Sequence, residues 1–499
     1  MKKAAFATAA LIILVAASIF VGLPLADKQV AAELRAELER SGEVKVGAVE
    51  VGLLGRRVVL SDLTIAGGTG ADFELTAAHF EVQGLSWPLV ELLQGRTPFS
   101  GFRWGDPLQA ARVDARDVRL VDDAAMTEWR TASIVAEDVD LARFDGDVAG
   151  GDGGVELPAR ALAALAVGRL EQRDASFTST VDGQKLGVES MVIERFDRGL
   201  IAKLAVGTFS AGAENLPTAT LTIHEISADG VDLRKPLDEL ASGRRRLGQP
   251  LGRLWAERFV VAGMGGLALS TYGISLDRIT TEQKHESGTV VLSRTRIDGL
   301  VVNPPSDNAK AAELRAGLEA IGVSELKLAV DCGAREDHGT GVFKIENCTV
   351  TSPELATIGF GLTIVDVDDS FWRVLDEGDF SHASTSKAAL GSADLVIADK
   401  SLLERVLKAV AKDTGTPVAL LRPLAALQVR KYQPPGVLIT DELTKLADTV
   451  ARFVEQGGRL TLTVHPEPPF AFSRMDYLLT PGPDLVSVFG LSAELTKSK

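Results

Sequence analysis

The chain has 499 residues, of which 45% are apolar, 24% charged and only 5% aromatic. At roughly 150 residues per domain this allows about three domains, and the apolar content is ample for folded cores, which excludes wholesale disorder. A formal charge of −15 excludes the basic face that nucleic-acid binding requires, and two cysteines exclude a disulfide-dense scaffold or a Cys-only metal site.

Lys2 and Lys3 precede an uncharged stretch from Ala4 to Ala26. That length meets the roughly 20 apolar residues a membrane-spanning helix needs. Read instead as a cleaved signal peptide, it places Pro24 where a small residue is wanted before a cut at Ala26, so residues 1–26 are predicted to be an uncleaved anchor. The positive-inside tendency then leaves the N-terminus in the cytoplasm and the chain after Asp27 outside it. No second span follows, since the most apolar later segment, Pro417–Leu427, is short and carries Arg422.

Asp27–Arg40 reads as a helix, with Val30, Leu34 and Leu38 four apart on one face and Ser41-Gly42 ending it. From Glu43 the period changes to two, the signature of strands. A loose phrase then recurs at Leu75–Leu85, Leu221–Val231 and Leu254–Met264, weakly at Val290–Leu300 and partly at Val58–Gly68. Its apolar groups fall at fixed offsets before Gly84, Gly230, Gly263 and Gly299, a pattern expected of stacked β units. Asp145–Gly154 reads as a linker, and Asn303-Pro-Pro stops a strand. Beyond it Asn308–Ala320, Lys400–Lys412, Val418–Lys431 and Thr440–Glu455 are predicted helices, and Arg459–Val464 a strand. The predicted fold class is therefore α+β and β-rich: one N-terminal transmembrane helix, repeated antiparallel sheet units, and a more helical C-terminal module. The predicted divisions are an anchor (1–26), a helix plus β region (27–150), a second β-repeat region (151–307) and an α+β module (308–499).

Cys332 and Cys348 flank a predicted hairpin whose turn centres on Thr340, between Gly339 and Gly341. That register sets the two thiols opposite each other and predicts a cross-strand disulfide, which fits an oxidising compartment.

No catalytic signature stands out, and the chain is read as a non-enzyme without a cofactor. The six histidines are scattered with no H-x-H or H-E-x-x-H pair, so no metal site is expected. Ser384-Thr-Ser-Lys387 has the spacing of a lysine-activated serine, but no K-T-G follows at a sensible distance, and a solvated loop explains it better. Gly67–Gly70 reads as a turn, Asp366, Asp368 and Asp369 as a strand end without the glycine of a calcium loop, and Arg244–Arg246 as a solvated helix end.

The basic start, single anchor, short helix and then VKVGAVEVGLLGRRVVLSDLTIAGG resemble the beginning of AsmA-like proteins. These are inner-membrane-anchored, periplasmic chains of Gram-negative bacteria, related to bridge-like lipid transfer proteins. FELTAAHFEVQGLSWPLVELLQG and ARVDARDVRLVD are similar to their strand, short helix and strand pattern, so the resemblance covers Met1–Asp122 and extends weakly to about Leu300. The chain departs from longer members in size and in its helical C-terminal third. The resemblance implies a curved β-groove holding acyl chains, with Phe80, Val82, Ile226, Phe259, Val261 and Ile297 as candidate lining residues. It implies binding or transport of phospholipid for envelope maintenance, with the inner membrane, phospholipid and other envelope proteins as partners. The alternative is an envelope scaffold in which the same residues fill closed cores.

Overall fold

The computed structural model describes residues 26–40, 42, 44–66, 73–86, 105–122, 126–145, 156–179, 181, 183–213, 216–244, 255–377, 386–433, 437–479 and 482–497. The expected anchor falls almost wholly outside them. Among the described residues no helix is long and apolar enough to cross a membrane. The chain divides into two compact units, residues 1–220 with 225–249, and residues 221–224 with 250–499.

The first unit opens with a helix over residues 26–39 (α1). Among the described residues eleven strands follow: β1 (Val44–Lys45), β2 (Ala48–Gly52), β3 (Arg57–Ala66), β4 (Phe73–Gln83), β5 (Leu108–Asp122), β6 (Thr127–Leu141), β7 (Leu165–Ser179), β8 (Gln184–Asp197), β9 (Leu200–Val206), β10 (Phe209–Ala213) and β11 (Leu216–Asp232). Consecutive strands from β3 to β9 pair antiparallel, and β11 pairs with β9 through Ile226–Asp232. The fifteen-residue strands β5, β6 and β7 each run about 50 Å. Among the described residues of the unit there are two further helices, α2 (Glu156–Ala164) and α3 (Arg234–Ala241). α1 lays Val30, Leu34 and Leu38, as its four-residue spacing predicts, onto a core formed by Val58, Leu60, Leu63, Ala77 and Val82.

Strands this long cannot alternate without interruption, and the core positions show where they break. On β5 the core takes Leu108 and Ala110, then Val113 and Ala115, then Val118; on β3 it takes Val58 and Leu60, then Leu63 and Ile65. The step of three marks a one-residue phase shift, and a residue with left-handed backbone sits at many of these steps: Asp62 on β3, Asp117 on β5, Asp138 on β6, Asp174 on β7, Arg195 on β8. Gly84 and Gly230, the glycines of the recurring phrase, adopt the same conformation at φ +65° and +62°. The shift is matched on the neighbouring strand. Asp62 lies opposite Ala78, flanked by the pairs Ser61–His79 and Leu63–Ala77, so the register passes through unchanged. The sheet therefore keeps its apolar side chains on one side although the period of two is repeatedly broken.

The second unit begins its meander with β12 (Arg258–Gly265), β13 (Ile274–Ser287) and β14 (Val290–Val302), continues through α4 (Ala312–Ala320) and β15 (Leu326–Asp337), β16 (Val342–Ser352) and β17 (Ala356–Val365), then α5 (Asp369–Glu377) and β18 (Ala389–Asp399). Three helices are inserted before the sheet resumes: α6 (Leu402–Thr414), α7 (Val418–Lys431) and α8 (Asp441–Gln456). The sheet then closes with β19 (Arg459–Val464), a short β20 (Phe470–Ala471) and β21 (Ser492–Thr496). α8 starts where Thr440 accepts the Leu443 amide hydrogen, presents Asp441 and Glu442 to its positive end, and buries Ala451 and Phe453. The chain is thus β-rich and antiparallel with a helical C-terminal region.

Cys332 and Cys348 are bonded across β15 and β16. The pairing Asp331–Thr349 has the predicted register, but from Gly333–Glu346 to Asp337–Val342 the strands are offset by one residue. A bulge absorbs the offset beside the disulfide, where Asn347 takes left-handed backbone at φ +52°. The turn spans His338–Gly341 and is held by the Asp337 carboxylate, which accepts from the Gly339 and Thr340 amides.

Candidate functional site

Antiparallel register converts the candidate lining residues into rows running across the strands. In the first unit Val58, Val82, Val113 and Ala136 lie side by side on β3–β6 and continue into Leu170, Ile193, Leu204 and Ala228 on β7, β8, β9 and β11. The adjacent row runs Leu60, Phe80, Ala115, Ile134, then Gln172, Met191, Val206 and Ile226. Phe80 and Ile226, read from distant copies of one phrase, thus lie in the same band, on β4 and β11. Eight strands at about 4.8 Å spacing make that band roughly 34 Å long. Its β3–β6 end is closed by α1, where Val82 is buried and Phe80 packs against the core. Toward β11 Leu170, Met191, Ile193, Leu204 and Ile226 are half-buried.

The same strands carry charge on the opposite face. From Gln83 a row runs through Arg112, Glu137, Arg169, Glu194 and Lys203 to Asp229, with the sign alternating at every strand after Arg112. Opposite charges directly across an antiparallel pair stabilise each strand contact. Arg112 donates to Glu137 at 2.9 Å, and Arg116 grips Asp114 through Nε at 3.0 Å and Nη2 at 3.2 Å. A cavity of about 310 Å³ lies along Arg112, Asp114, Arg116, Glu171 and Arg173.

The arginines set the ionisation of this face. Hydrogen bonds from Arg116, against the opposing effect of burial, hold the Asp114 carboxyl below its ordinary range, and Arg173 does the same for Glu171. Burial alone would raise Glu81, but hydrogen bonds from Arg57, Gln83 and His79 outweigh it and the carboxyl is lowered. These carboxylates stay charged and engaged, so the face is a fixed polar surface.

The second unit repeats the arrangement. Val261, Ile279, Ile297 and Val330 on β12–β15 continue as Val350, Ile358, Ile397, Leu460 and Leu495 on β16, β17, β18, β19 and β21, nine aliphatic residues in one row. Val261 is buried and Ile297 half-buried in that row. Phe259, 38% exposed, lies in the next row with Thr281, Thr295 and Cys332, and on the far side of the disulfide Cys348 continues to Phe360, Leu395 and Leu462. The opposite face pairs Arg294 and Arg296 with Asp331.

The structure brings Phe80, Val82 and Ile226 into one band and Phe259, Val261 and Ile297 into another. The residues between them on β5–β9 were missed because their strands carry Asp or Arg where the recurring phrase has Gly. Val113-x-Ala115-x-Asp117-Val118 and Ile134-x-Ala136-x-Asp138-Val139 are the same phrase with aspartate substituted. Asp is, after Gly and Asn, the residue that tolerates left-handed backbone best, and that equivalence is the signal that finds them.

Of the weaker motifs, Asp368 accepts from Ser370 Oγ at 2.5 Å and the Phe371 amide at 3.1 Å, which caps α5. Arg244 is paired with Asp238. Ser384 and Gly67–Gly70 lie outside the described residues. Among the described residues no group of three or more His, Cys, Asp or Glu could hold a metal ion.

Residues 349–494 match a family model described as an uncharacterized protein. No curated protein matches the chain.

Proposed function

We propose that this chain is an AsmA-like, membrane-anchored periplasmic protein that binds phospholipid and moves it for envelope maintenance. The observation that carries the reading is the two-faced sheet: cross-strand apolar rows on one side, a ladder of ion pairs on the other. A sheet with one apolar face must cover it with protein or with a ligand. A row of roughly 34 Å exceeds the length of an acyl chain, which spans about half of a 30 Å hydrocarbon core. The mechanism is non-covalent: acyl chains lie across the strands on Leu170, Ile193, Leu204 and their neighbours while headgroups stay in water. The Ala4–Ala26 segment supports an inner-membrane anchor, and the disulfide supports an oxidising compartment.

The scaffold alternative is favoured where α1 seals Val58, Leu60 and Val82 into a closed core. Photo-crosslinking separates the two readings. A benzophenone amino acid at Met191 in the full chain, expressed in a Gram-negative host, should give lipid adducts by mass spectrometry, while one at Val82 should give none. Adducts at neither site, with no phospholipid co-purifying, would sink lipid binding and leave the scaffold.

A further inference from the structure

The C-terminal helices carry an apolar surface that the sheet does not use. On α7, Leu420, Leu424 and Leu427 are 57%, 51% and 42% exposed. They fall at i, i+4 and i+7, one continuous stripe, and Pro423 between them is exposed as well. The stripe continues to Lys431 and to exposed Tyr432, while Ala426 on the other side of the helix is fully buried. The preceding helix α6 adds Val406 and Val410, exposed and four apart.

Charge selects the occupant. Across 402–431, six basic residues (Arg405, Lys408, Lys412, Arg422, Arg430, Lys431) stand against Glu404 and Asp413, a surplus of four in a chain whose formal charge is −15. Arg430 is engaged by Glu455 at 2.7 Å and Asp448 at 3.0 Å on α8, and Arg422 by the Glu455 carbonyl at 3.1 Å, so both are turned inward to hold α7 in place. Lys431 lies one turn after Leu427 on the stripe, and Lys408 and Lys412 are exposed on a different side of α6 from Val406 and Val410, with Lys408 paired to Glu404 at 2.7 Å. An apolar stripe that ends in Lys431 and an aromatic ring, on a helix pair with a basic surplus, matches the requirements of a membrane interface. We infer that α6 and α7 form a docking face for the surface of an anionic phospholipid bilayer, with Leu420, Leu424 and Leu427 entering the headgroup region and the lysines meeting lipid phosphate. The inference stands independently of the groove, since it uses none of the cross-strand rows.

Both native cysteines are joined to each other, so a cysteine placed at Leu424 is the sole free thiol and can carry an environment-sensitive fluorophore. The full chain with Leu424→Cys so labelled is reconstituted in vesicles of phosphatidylethanolamine with phosphatidylglycerol, or of phosphatidylcholine alone, each with lipid-borne quencher; Thr340→Cys at the β15–β16 turn is the control. The expected result is a blue shift and lipid quenching at 424 in the anionic vesicles only, with neither at 340. Exchanging Lys408, Lys412 and Lys431 for glutamate should weaken docking by at least about fivefold per lysine, and the quenching should fall as salt rises. Lys408 pairs with Glu404 on its own helix, an exposed contact that contributes little to stability, so the exchange tests docking, and circular dichroism checks that the helices persist. Equal quenching in phosphatidylcholine overturns selection by charge. A blue shift without lipid quenching assigns the stripe to a second copy or another protein and overturns the proposal, as does a label that stays in water throughout.

Discussion

Asp117 and Gly84 do the same conformational work with different side chains. Each holds left-handed backbone inside or at the end of a long strand, at φ +51° and +65°, and each lets the apolar pattern advance by one residue. Glycine is the only residue that fits at position 84, because a Cβ there would approach the Ala111 Cβ to 2.6 Å. Position 117 should accept glycine with little change in stability, since the backbone asks only for positive φ. Asp117→Val should cost about 2 kcal/mol, because a β-branched residue is a true outlier there. Urea denaturation of the two variants checks this, and equal losses for Gly and Val would show that the carboxylate, not the backbone, is what matters. Asp114 makes a different prediction. Its carboxyl, buried beside Arg116 and Arg112, is lowered in the folded chain, so its contribution is complete above the unfolded value of about 3.9 and is lost as pH falls through the lower folded value. Asp114→Asn should therefore lower the urea midpoint at pH 7, by about 1–2 kcal/mol in stability, and the gap to wild type should narrow below about pH 4. A gap independent of pH would mean that packing, not charge, holds the site.

At the scale of elements, what the sequence discloses depends on the length over which one period persists. The helix Val418–Lys431 is read from sequence to its observed ends because Pro417 and the Pro434-Pro435 pair bracket it, and Pro423 lies inside it without ending it. α6 and α8 are found within two residues for the same reason. The fifteen-residue strands are not, because each phase shift looks locally like the end of a strand and only pairing with the neighbour shows the register to be continuous. Six positions of the candidate site, on strands where glycine marks the shift, were therefore visible, and those on strands where aspartate marks it were not. The ion-pair ladder was equally hidden: Arg112, Glu137, Arg169 and Glu194 lie on four strands, and along the chain each looks like an ordinary solvated charge. α1 gives the test of element packing. Leu34, buried against β3 and β4, should cost about 2–4 kcal/mol as Leu34→Ala. Hydrogen exchange should then speed up in β2–β4 and not in β12–β19, and uniform acceleration throughout the chain would show that the two units unfold as one.

For the whole molecule, the repetition of one design in both units matters more than either band alone. Each unit sets aliphatic rows across its strands and pairs charges on the opposite face, and in each the polar face is kept fixed by arginines bound to carboxylates. A closed core needs no such length, since a hydrophobic cluster gains little once its members are already dry. A surface that carries acyl chains across many strands needs continuity above all, which the matched phase shifts preserve. If both bands hold lipid, occupancy should be divisible. Ile193→Glu introduces a charge into the first unit's row and should remove the phospholipid that unit carries, and Ile279→Glu should remove the second unit's share. Native mass spectrometry of the detergent-extracted full chain would then show partial occupancy in each single variant and almost none in the double. Loss of all lipid in either single variant would mean that one band is the binding site and the other is core. Unchanged occupancy in the double variant, with circular dichroism showing an intact sheet, would remove lipid from both.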